Sequence, residues 1–250
     1  MYVVNHDAKY MIFMFPKSGC STLRVLHLRL LKQVPTQSTF NEDPYHRIQR
    51  DSRHAPEYPD YIKVLVYRNP YERIASMFFQ VFCGVPGAFK AGKLMRPRRR
   101  LSPTINTFNR FLDELFRKKM KFTWDQHFLP QHPSMPLNAF DQVLSLEDVD
   151  QLFRGVDDHL HSQVRAIMAA QNKTSNTGFS RNVLTVNRAN FSGQTLEDYD
   201  FWQDRDKIIS KNSVPPYHLL LTEAVKARIR MHYDDKFFDS CSAADVLESI

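Results

Sequence analysis

Glycine and cysteine are both scarce in this chain, and each scarcity excludes a class of protein. Only 7 glycines occur among 250 residues, which argues against a fibrous or low-complexity chain. The 3 cysteines are widely spaced, and no C-x-x-C pair occurs. Neither a disulfide framework nor a cysteine-based zinc site is therefore expected. What remains is the composition of an ordinary globular protein.

The sequence also lacks a long apolar run. The longest covers residues 11–16, whereas a membrane-spanning helix needs about 20 apolar residues. The first residues do not show the basic region followed by an apolar region that marks a secretory signal. Together with the few cysteines, these features predict a cytoplasmic protein without a membrane span.

Positive charge is in excess. Lys and Arg number 34 against 27 Asp and Glu, which gives a formal net charge of +7. Such a surplus favours anionic partners, and charge alone leaves nucleic acid, an anionic cofactor and an acidic substrate open. Part of the charge lies in Arg96–Arg100, inside a segment at 84–104 that is rich in Gly and Pro. We expect this segment to be a mobile surface insertion, which either receives an acidic saccharide or is simply solvated.

Apolar runs that alternate with helical periodicity predict an α/β fold. Residues 10–15 form the short continuous apolar run of a buried parallel strand, and a helical pattern follows as far as residue 34. A second strand is predicted at 62–67, before a helix with Pro70 in its first turn. Further helices are predicted around 105–115, after Ser145, around 160–168 and over 217–229, and further strands at 140–144 and 183–186. The pattern predicts one domain over 1–250, with a central parallel sheet flanked by helices in three layers.

The segment at 16–22, PKSGCST, joins the first predicted strand to its helix. Ligands of an open parallel sheet bind at the carboxyl ends of the strands, where the next helix also presents its positive N-terminus. Lys17 adds a full charge, and Gly19 allows the main chain to approach a phosphate. Hydroxyl donors are available from Ser18, Ser21 and Thr22. These residue types suit a bound phosphate or sulfate, although an ordinary strand–turn–helix connection is the alternative.

Two common phosphate-binding loops do not match this segment. A Walker A loop has its lysine directly after the second glycine, whereas Lys17 precedes Gly19. A phosphatase loop of the Cys-x5-Arg type would need an arginine where Leu26 stands. The segment is therefore a candidate phosphate loop of a different kind.

A second candidate group lies after the second predicted strand. Arg68 stands at the strand end, and Ser76 falls within the first two turns of the following helix. An arginine and a hydroxyl that converge on one oxyanion would form a phosphate clamp. Arg73, between them, is predicted to make a structural ion pair rather than a ligand contact.

The two segments PKSGCSTLR and YRNPYERIASMF resemble the nucleotide-binding segments of sulfotransferases that use 3′-phosphoadenosine 5′-phosphosulfate (PAPS). They are most similar to carbohydrate sulfotransferases of the chondroitin 4-O and HNK-1 type and to their bacterial relatives. The resemblance implies a P-loop-like fold, no metal, and adenosine 3′,5′-bisphosphate as the nucleotide product. It implies contacts to the 5′-phosphosulfate from Lys17, Ser18, Gly19, Cys20, Ser21 and Thr22, and contacts to the 3′-phosphate from Arg68 and Ser76.

Three weaker similarities follow in the family's order. They are the segment 125–131, which contains a Pro-Gln pair, the segment 140–147, and a Tyr-x-x-Asp-like pattern at Tyr233. Phe128 stands where the family usually has tryptophan. The family members with a membrane anchor and stem are Golgi proteins, and this chain shows neither feature, so a bacterial or other cytosolic enzyme is expected.

Sulfuryl transfer needs a positive group at the leaving oxygen and a base for the acceptor proton. The resemblance implies that Lys17 has the first role. For the base it favours His127, with His54 and His46 as alternatives. The acceptor is expected to be a carbohydrate or a small alcohol.

A late loop often closes over the nucleotide in sulfotransferases, and Asn187 with Arg188 stand where such a loop would lie. An ordinary polar turn is the alternative. No metal site is predicted, because the histidine pairs at 127–132 and 159–161 lack further ligands at suitable spacing.

Other classes of protein stay open at this stage. The positive charge would suit a nucleic-acid-binding protein, although no helix-turn-helix, zinc or RNP signature occurs. A degenerate P-loop kinase would lack the Gly-Lys pair and a clear metal-holding aspartate. A pseudoenzyme that binds the nucleotide is a further alternative, and the sequence predicts no oligomeric state.

Overall fold

The chain divides into two compact units. The first unit is Met1–Asn69 with Gln131–Phe179, and the second is Pro70–Pro130 with Ser180–Ile250. A computed structural model of the protein describes residues 2–16, 18–32, 58–79, 106–117, 129–133, 135–173, 182–183, 196–201, 213–215 and 217–239. The single domain over 1–250 and the insertion at 84–104 stay predictions, and the insertion lies outside the described residues.

Strands and α-helices alternate along much of the described chain. In chain order the elements are β1 (Tyr2–Asn5), β2 (Tyr10–Met14), α1 (Cys20–Leu30), β3 (Ile62–Tyr67), α2 (Pro70–Met77), α3 (Phe108–Arg117), β4 (Gln142–Ser145), α4 (Asp158–Lys173), β5 (Asn182–Val183), β6 (Ser213–Val214) and α5 (Glu223–His232). The predicted α/β class is confirmed.

The first unit contains a four-stranded sheet in the order β1-β2-β3-β4. β1 pairs with β2 in the antiparallel direction, while β2, β3 and β4 run parallel to one another. The strands predicted at 10–15 and 62–67 are confirmed, and the strand predicted at 140–144 lies at 142–145. β1 was not predicted, because its apolar run, Tyr2–Val4, is only three residues long.

The core of the first unit lies between the sheet, α1 and α4. Alternate residues of β2 and β3 point toward these helices, and each fully buried aliphatic side chain stabilises the fold by about 1.5–3 kcal/mol. The helix predicted around 160–168 is confirmed as α4, and the Asp157 side chain accepts a hydrogen bond from the Leu160 amide at 2.9 Å. The buried members of this core include Ile12, Met14, Leu23, Leu26, Val64, Val66, Leu160 and Val164.

The second unit has an aromatic core, to which α2, α3 and α5 contribute. Phe78 lies at its centre, with ring centroids 5.4 Å from Phe108 and 5.5 Å from Phe111. The helices predicted after Pro70 and around 105–115 are confirmed as α2 and α3. A two-residue parallel pair, β5 with β6, completes the described elements of this unit. Of the strand predicted at 183–186, only Val183 lies among the described residues.

Two predicted helices were wrong in type or extent. The helix expected after Ser145 is only a 3-10 turn at Val149–Gln151. The Ser145 hydroxyl accepts from the Glu147 amide at 3.1 Å and so closes a local turn. The helix expected over 217–229 begins at Glu223, because Thr222 caps it, and a separate 3-10 turn precedes it.

The α-helices in the described part of the chain have at most 16 residues. None of them combines the length and the apolar composition that a membrane-spanning segment requires.

Candidate functional site

The carboxyl ends of three parallel strands lie at one edge of the sheet in the first unit. Val66 on β3 pairs with Met14 on β2 and with Leu144 on β4. The residues that follow the three strands therefore emerge close to one another, at the edge where open α/β sheets bind ligands. The described ones are Phe15, Pro16, Ser18 and Gly19 after β2, Arg68 after β3 and Leu146 after β4.

The loop after β2 turns tightly around one carbonyl group. The Phe15 carbonyl oxygen accepts hydrogen bonds from the Ser18 amide at 3.0 Å and from the Cys20 thiol at 2.9 Å. Gly19 has φ of 72°, in the left-handed region, and the first turn of α1 follows directly with Leu23 donating to the Gly19 carbonyl. The chain thus passes from strand to helix within five residues.

A side chain at position 19 would collide with the residue that follows β4. A Cβ atom built on Gly19 would lie 2.7 Å from Leu146 Cδ2 and 3.1 Å from its Cγ. Leu146 is held there because its amide donates to the Tyr67 carbonyl at 2.7 Å. The backbone angle therefore favours glycine at this position, and any larger residue would also have to displace the Leu146 side chain.

The N-terminus of α1 is suited to an anion. The first intrahelical hydrogen bond is the one from Leu23, so the amides of residues 20–22 have no acceptor within the helix. The first turn contains no acidic residue, and the N-cap is a glycine without a capping side chain. The positive end of the helix dipole is therefore not offset from within the helix.

Gln131 links the loop after β2 to the end of β3. Its Oε1 accepts from the Ser18 hydroxyl at 2.6 Å and from the Arg68 amide at 2.9 Å, and its Nε2 donates to the Arg68 carbonyl at 2.7 Å. Ser18 and Gln131 are fully buried, and Arg68 is 8% exposed. One side chain thus connects the two segments that the sequence identified separately.

Each described residue of the predicted site belongs to one of the two units. Cys20 and Thr22 are partly buried in the first turn of α1, whereas Ser76 is buried on α2 in the second unit. The predicted ligand roles of these residues stay predictions. The residues of the predicted site that lie outside the described part are Lys17, His46, His54, His127, Asn187 and Arg188, together with the side chain of Ser21.

Arg73 is held inside the second unit. Its guanidinium is fully buried and donates to the Tyr233 hydroxyl and to the Leu129 carbonyl oxygen, each at 2.6 Å. Burial raises the pKa of Tyr233 to about 12, although Arg73 acts in the opposite direction. These contacts give Arg73 a phenol and a main-chain carbonyl as structural partners, and the ion pair predicted for it stays a prediction.

Sequence reasoning did not assign a role to Gln131. The sequence pointed to Gln131 only through the Pro-Gln pair at the end of the segment 125–131, which is one of the weaker similarities to the sulfotransferase family. A glutamine in a polar stretch does not show that its amide is buried against main chain more than sixty residues away. The partners become visible only when the strand ends are brought together.

The described part of the chain contains His, Cys, Asp and Glu side chains, which are the usual protein ligands of a metal ion. No group of three or more His, Cys, Asp or Glu side chains gathers there in a way that could hold a metal ion.

Comparison with known proteins gives one match. The model of a family described as the sulfotransferase family matches residues 1–198. Neither curated proteins nor solved structures gave a match. The family match covers more than three quarters of the chain, including β1–β4, α1 and the residues that Gln131 connects. The chain therefore belongs to the sulfotransferase family and is an enzyme that transfers sulfuryl groups.

Proposed function

We propose that this sulfotransferase takes the sulfuryl group from PAPS and transfers it to an acceptor hydroxyl, with a carbohydrate as the favoured acceptor class. The observation that carries the proposal is the link through Gln131, which joins the candidate 5′-phosphate loop to Arg68. A nucleotide with phosphates at both ends requires two anion-binding segments held at a fixed separation. A P-loop-like arrangement of the first unit belongs to the same proposal.

The residues of the first unit suit the two ends of such a nucleotide. The amides at the start of α1 would hold the 5′-phosphate, and Lys17 would neutralise charge on the leaving oxygen. Arg68 would hold the 3′-phosphate, as the family resemblance implies; the resemblance implies the same contact for Ser76, which belongs to the second unit. PAPS itself would supply the activated sulfuryl group, so the protein's work is positioning and charge neutralisation.

Ligand binding tests the nucleotide part of the proposal. Adenosine 3′,5′-bisphosphate should raise the melting temperature of the protein, and ATP and NADPH should raise it much less at equal concentration. Lys17→Ala should weaken this stabilisation. Lys63→Ala is a matched control, because Lys63 lies on β3 near its amino end and the substitution removes the same charge. Equal stabilisation by all three nucleotides, or none by the bisphosphate, would contradict the proposal.

The base is proposed to be His127, with His54 and His46 as alternatives. A histidine within reach of the acceptor hydroxyl would take its proton as the new S–O bond forms and the S–O bond to the 5′-phosphate breaks. Removing such a base typically lowers turnover by about 10²–10⁴-fold. His127→Ala should therefore lose turnover at saturating PAPS and keep its affinity for adenosine 3′,5′-bisphosphate. Near-normal turnover would exclude His127 and direct the same test to His54 and His46.

The acceptor class can be tested with transfer of labelled sulfate from PAPS. Polysaccharides, simple glycosides and small alcohols would be offered in parallel, and faster transfer to a saccharide is the expected result. A preference for a non-saccharide alcohol would change the acceptor class and leave the donor part intact. The cytoplasmic location stays a prediction, which fractionation of the native host would test.

A further inference from the structure

Ser18 uses both of its donors inside the protein. Its amide donates to the Phe15 carbonyl at 3.0 Å, and its hydroxyl donates to Gln131 Oε1 at 2.6 Å. The residue is fully buried. A contact from Ser18 to a phosphate would require one of these hydrogen bonds to be given up.

The direction of the Ser18 hydrogen bond follows from the main chain of Arg68. The Arg68 amide needs an acceptor and the Arg68 carbonyl needs a donor, so the Gln131 carboxamide has only one orientation that satisfies both. In this orientation Oε1 faces Ser18 as well as the Arg68 amide. Because Oε1 can only accept, the Ser18 hydroxyl must donate.

We propose that Gln131 is a positioning residue, which sets the separation between the 5′-phosphate loop and Arg68, and that Ser18 anchors the loop to it rather than contacting the phosphate. This inference rests on the proposed function, since it concerns the two segments that would hold the nucleotide. Gln131 acts through other groups, because its own amide is fully buried.

Nucleotides with one phosphate and nucleotides with two should depend differently on the separation of the two segments. Adenosine 3′,5′-bisphosphate would engage both segments at once, so its affinity depends on their separation. Adenosine 5′-monophosphate would engage only the loop at α1, and adenosine 3′-monophosphate only the segment at Arg68. A change in the separation of the two segments should lower the affinity for the bisphosphate far more than the affinity for either monophosphate.

The test compares the affinities of the three nucleotides by calorimetry. Gln131→Met keeps the approximate side-chain volume and removes the hydrogen bonds to Ser18 and Arg68. We expect it to lower the affinity for the bisphosphate on the order of tenfold, and the affinities for the monophosphates by no more than about threefold. The diagnostic quantity is the ratio of bisphosphate to monophosphate affinity. A general loss of stability would lower all three affinities and would not change this ratio.

Gln142→Met is the matched control. The Gln142 amide also bridges main-chain groups of the first unit, accepting from Phe153 at 2.7 Å and donating to the Gln151 carbonyl at 3.0 Å. It lies at the amino end of β4, away from the strand ends that carry the site. It should lower the melting temperature and leave the ratio of bisphosphate to monophosphate affinity unchanged.

Ser18→Ala provides a smaller change in case Gln131→Met does not fold. If Ser18 anchors the loop, this variant should also lower the preference for the bisphosphate over adenosine 5′-monophosphate. The double variant should then lose little more than Gln131→Met alone, because both remove the same link. If Ser18 contacts the 5′-phosphate, both 5′-phosphorylated ligands should weaken equally and the preference should persist, which would overturn the inference.

Failure of the inference and failure of the proposed function give different results. A wild-type protein that does not prefer the bisphosphate over the monophosphates would contradict the proposed function. A wild-type preference that survives in both Gln131→Met and Ser18→Ala would contradict only the positioning role. The positioning role is supported if Gln131→Met and Ser18→Ala both lose the preference for the bisphosphate and Gln142→Met keeps it.

Discussion

Leu146 occupies the space in which a side chain at Gly19 would begin. Gly19 follows β2 and Leu146 follows β4, and β3 lies between these two strands in the sheet. A Cβ atom at position 19 would lie 2.7 Å from Leu146 Cδ2, a distance that real Cβ contacts essentially never show. The shape of the candidate phosphate loop therefore depends on a residue more than a hundred positions away.

Gly19→Ala should destabilise the protein by about 2–3 kcal/mol. About 1 kcal/mol comes from the left-handed backbone angle, and the rest from displacement of Leu146. Gly155→Ala is the control, because Gly155 has φ of 74° but nothing lies within 4 Å of a Cβ atom built there. Urea unfolding would measure the stability of both variants. Adding Leu146→Ala to Gly19→Ala should recover part of the lost stability, because it removes the colliding side chain. Equal losses at positions 19 and 155 would contradict the steric explanation.

The parts of this site that the sequence predicted depend on residues close together in the chain. The parts that it did not predict depend on contacts between distant residues. β2 and β3 were predicted because continuous apolar runs are local signals. The position of α1 was predicted from periodicity and from Pro and Gly nearby. The contact between Gly19 and Leu146 and the bridge through Gln131 depend on strand order and register, which no local pattern encodes.

Errors at element boundaries have an equally physical cause. Ser145 followed by Asp148 resembles a helix start, but the Ser145 hydroxyl bonds to Glu147 within the turn. Tyr217 continues the apolar spacing of α5, yet the capping side chain of Thr222 sets the helix start. In both places a hydrogen bond between a side chain and the main chain two or three residues later outweighs the apolar periodicity.

Tyr233→Phe should lower stability by about 1.5–3 kcal/mol. The substitution removes an acceptor from the fully buried Arg73 guanidinium, and hydrogen bonds to charged groups are worth about this much. Tyr61→Phe is the control, because the Tyr61 hydroxyl bonds to the exposed His6 and its removal should be nearly neutral. Thermal and urea unfolding would measure both. A neutral Tyr233→Phe would mean that this hydrogen bond does not stabilise the second unit.

Thr222→Ala should lower stability by about 1 kcal/mol through loss of the cap on α5. The Thr222 hydroxyl accepts from the Val225 amide at 3.4 Å, and the residue has the extended backbone typical of a cap. Thr222→Ser keeps the hydroxyl and should be close to the parent protein in urea unfolding. If Ser and Ala at this position cost the same, the methyl group rather than the cap would be responsible.

His27 should make the protein less stable as the pH falls from about 6.5 to about 4. It is buried on α1, with Nδ1 3.0 Å from the Tyr10 hydroxyl, and burial lowers the pKa of His27 from 6.5 to about 4. The unfolded chain therefore binds a proton in this range that the folded chain does not, so acid favours unfolding. The stabilisation is complete above about pH 6.5, and the loss reaches about 3 kcal/mol near pH 4.

Urea unfolding at several pH values would test this, because the slope of stability against pH reports the difference in bound protons. His27→Gln should remove most of the slope between pH 4 and 6.5, even though its stability at pH 7 will also change. His159→Gln replaces an exposed histidine of α4 in the same unit and should leave the slope intact. If His27→Gln keeps the same slope of stability against pH, a group other than His27 binds the proton on unfolding, and the role assigned to His27 is wrong.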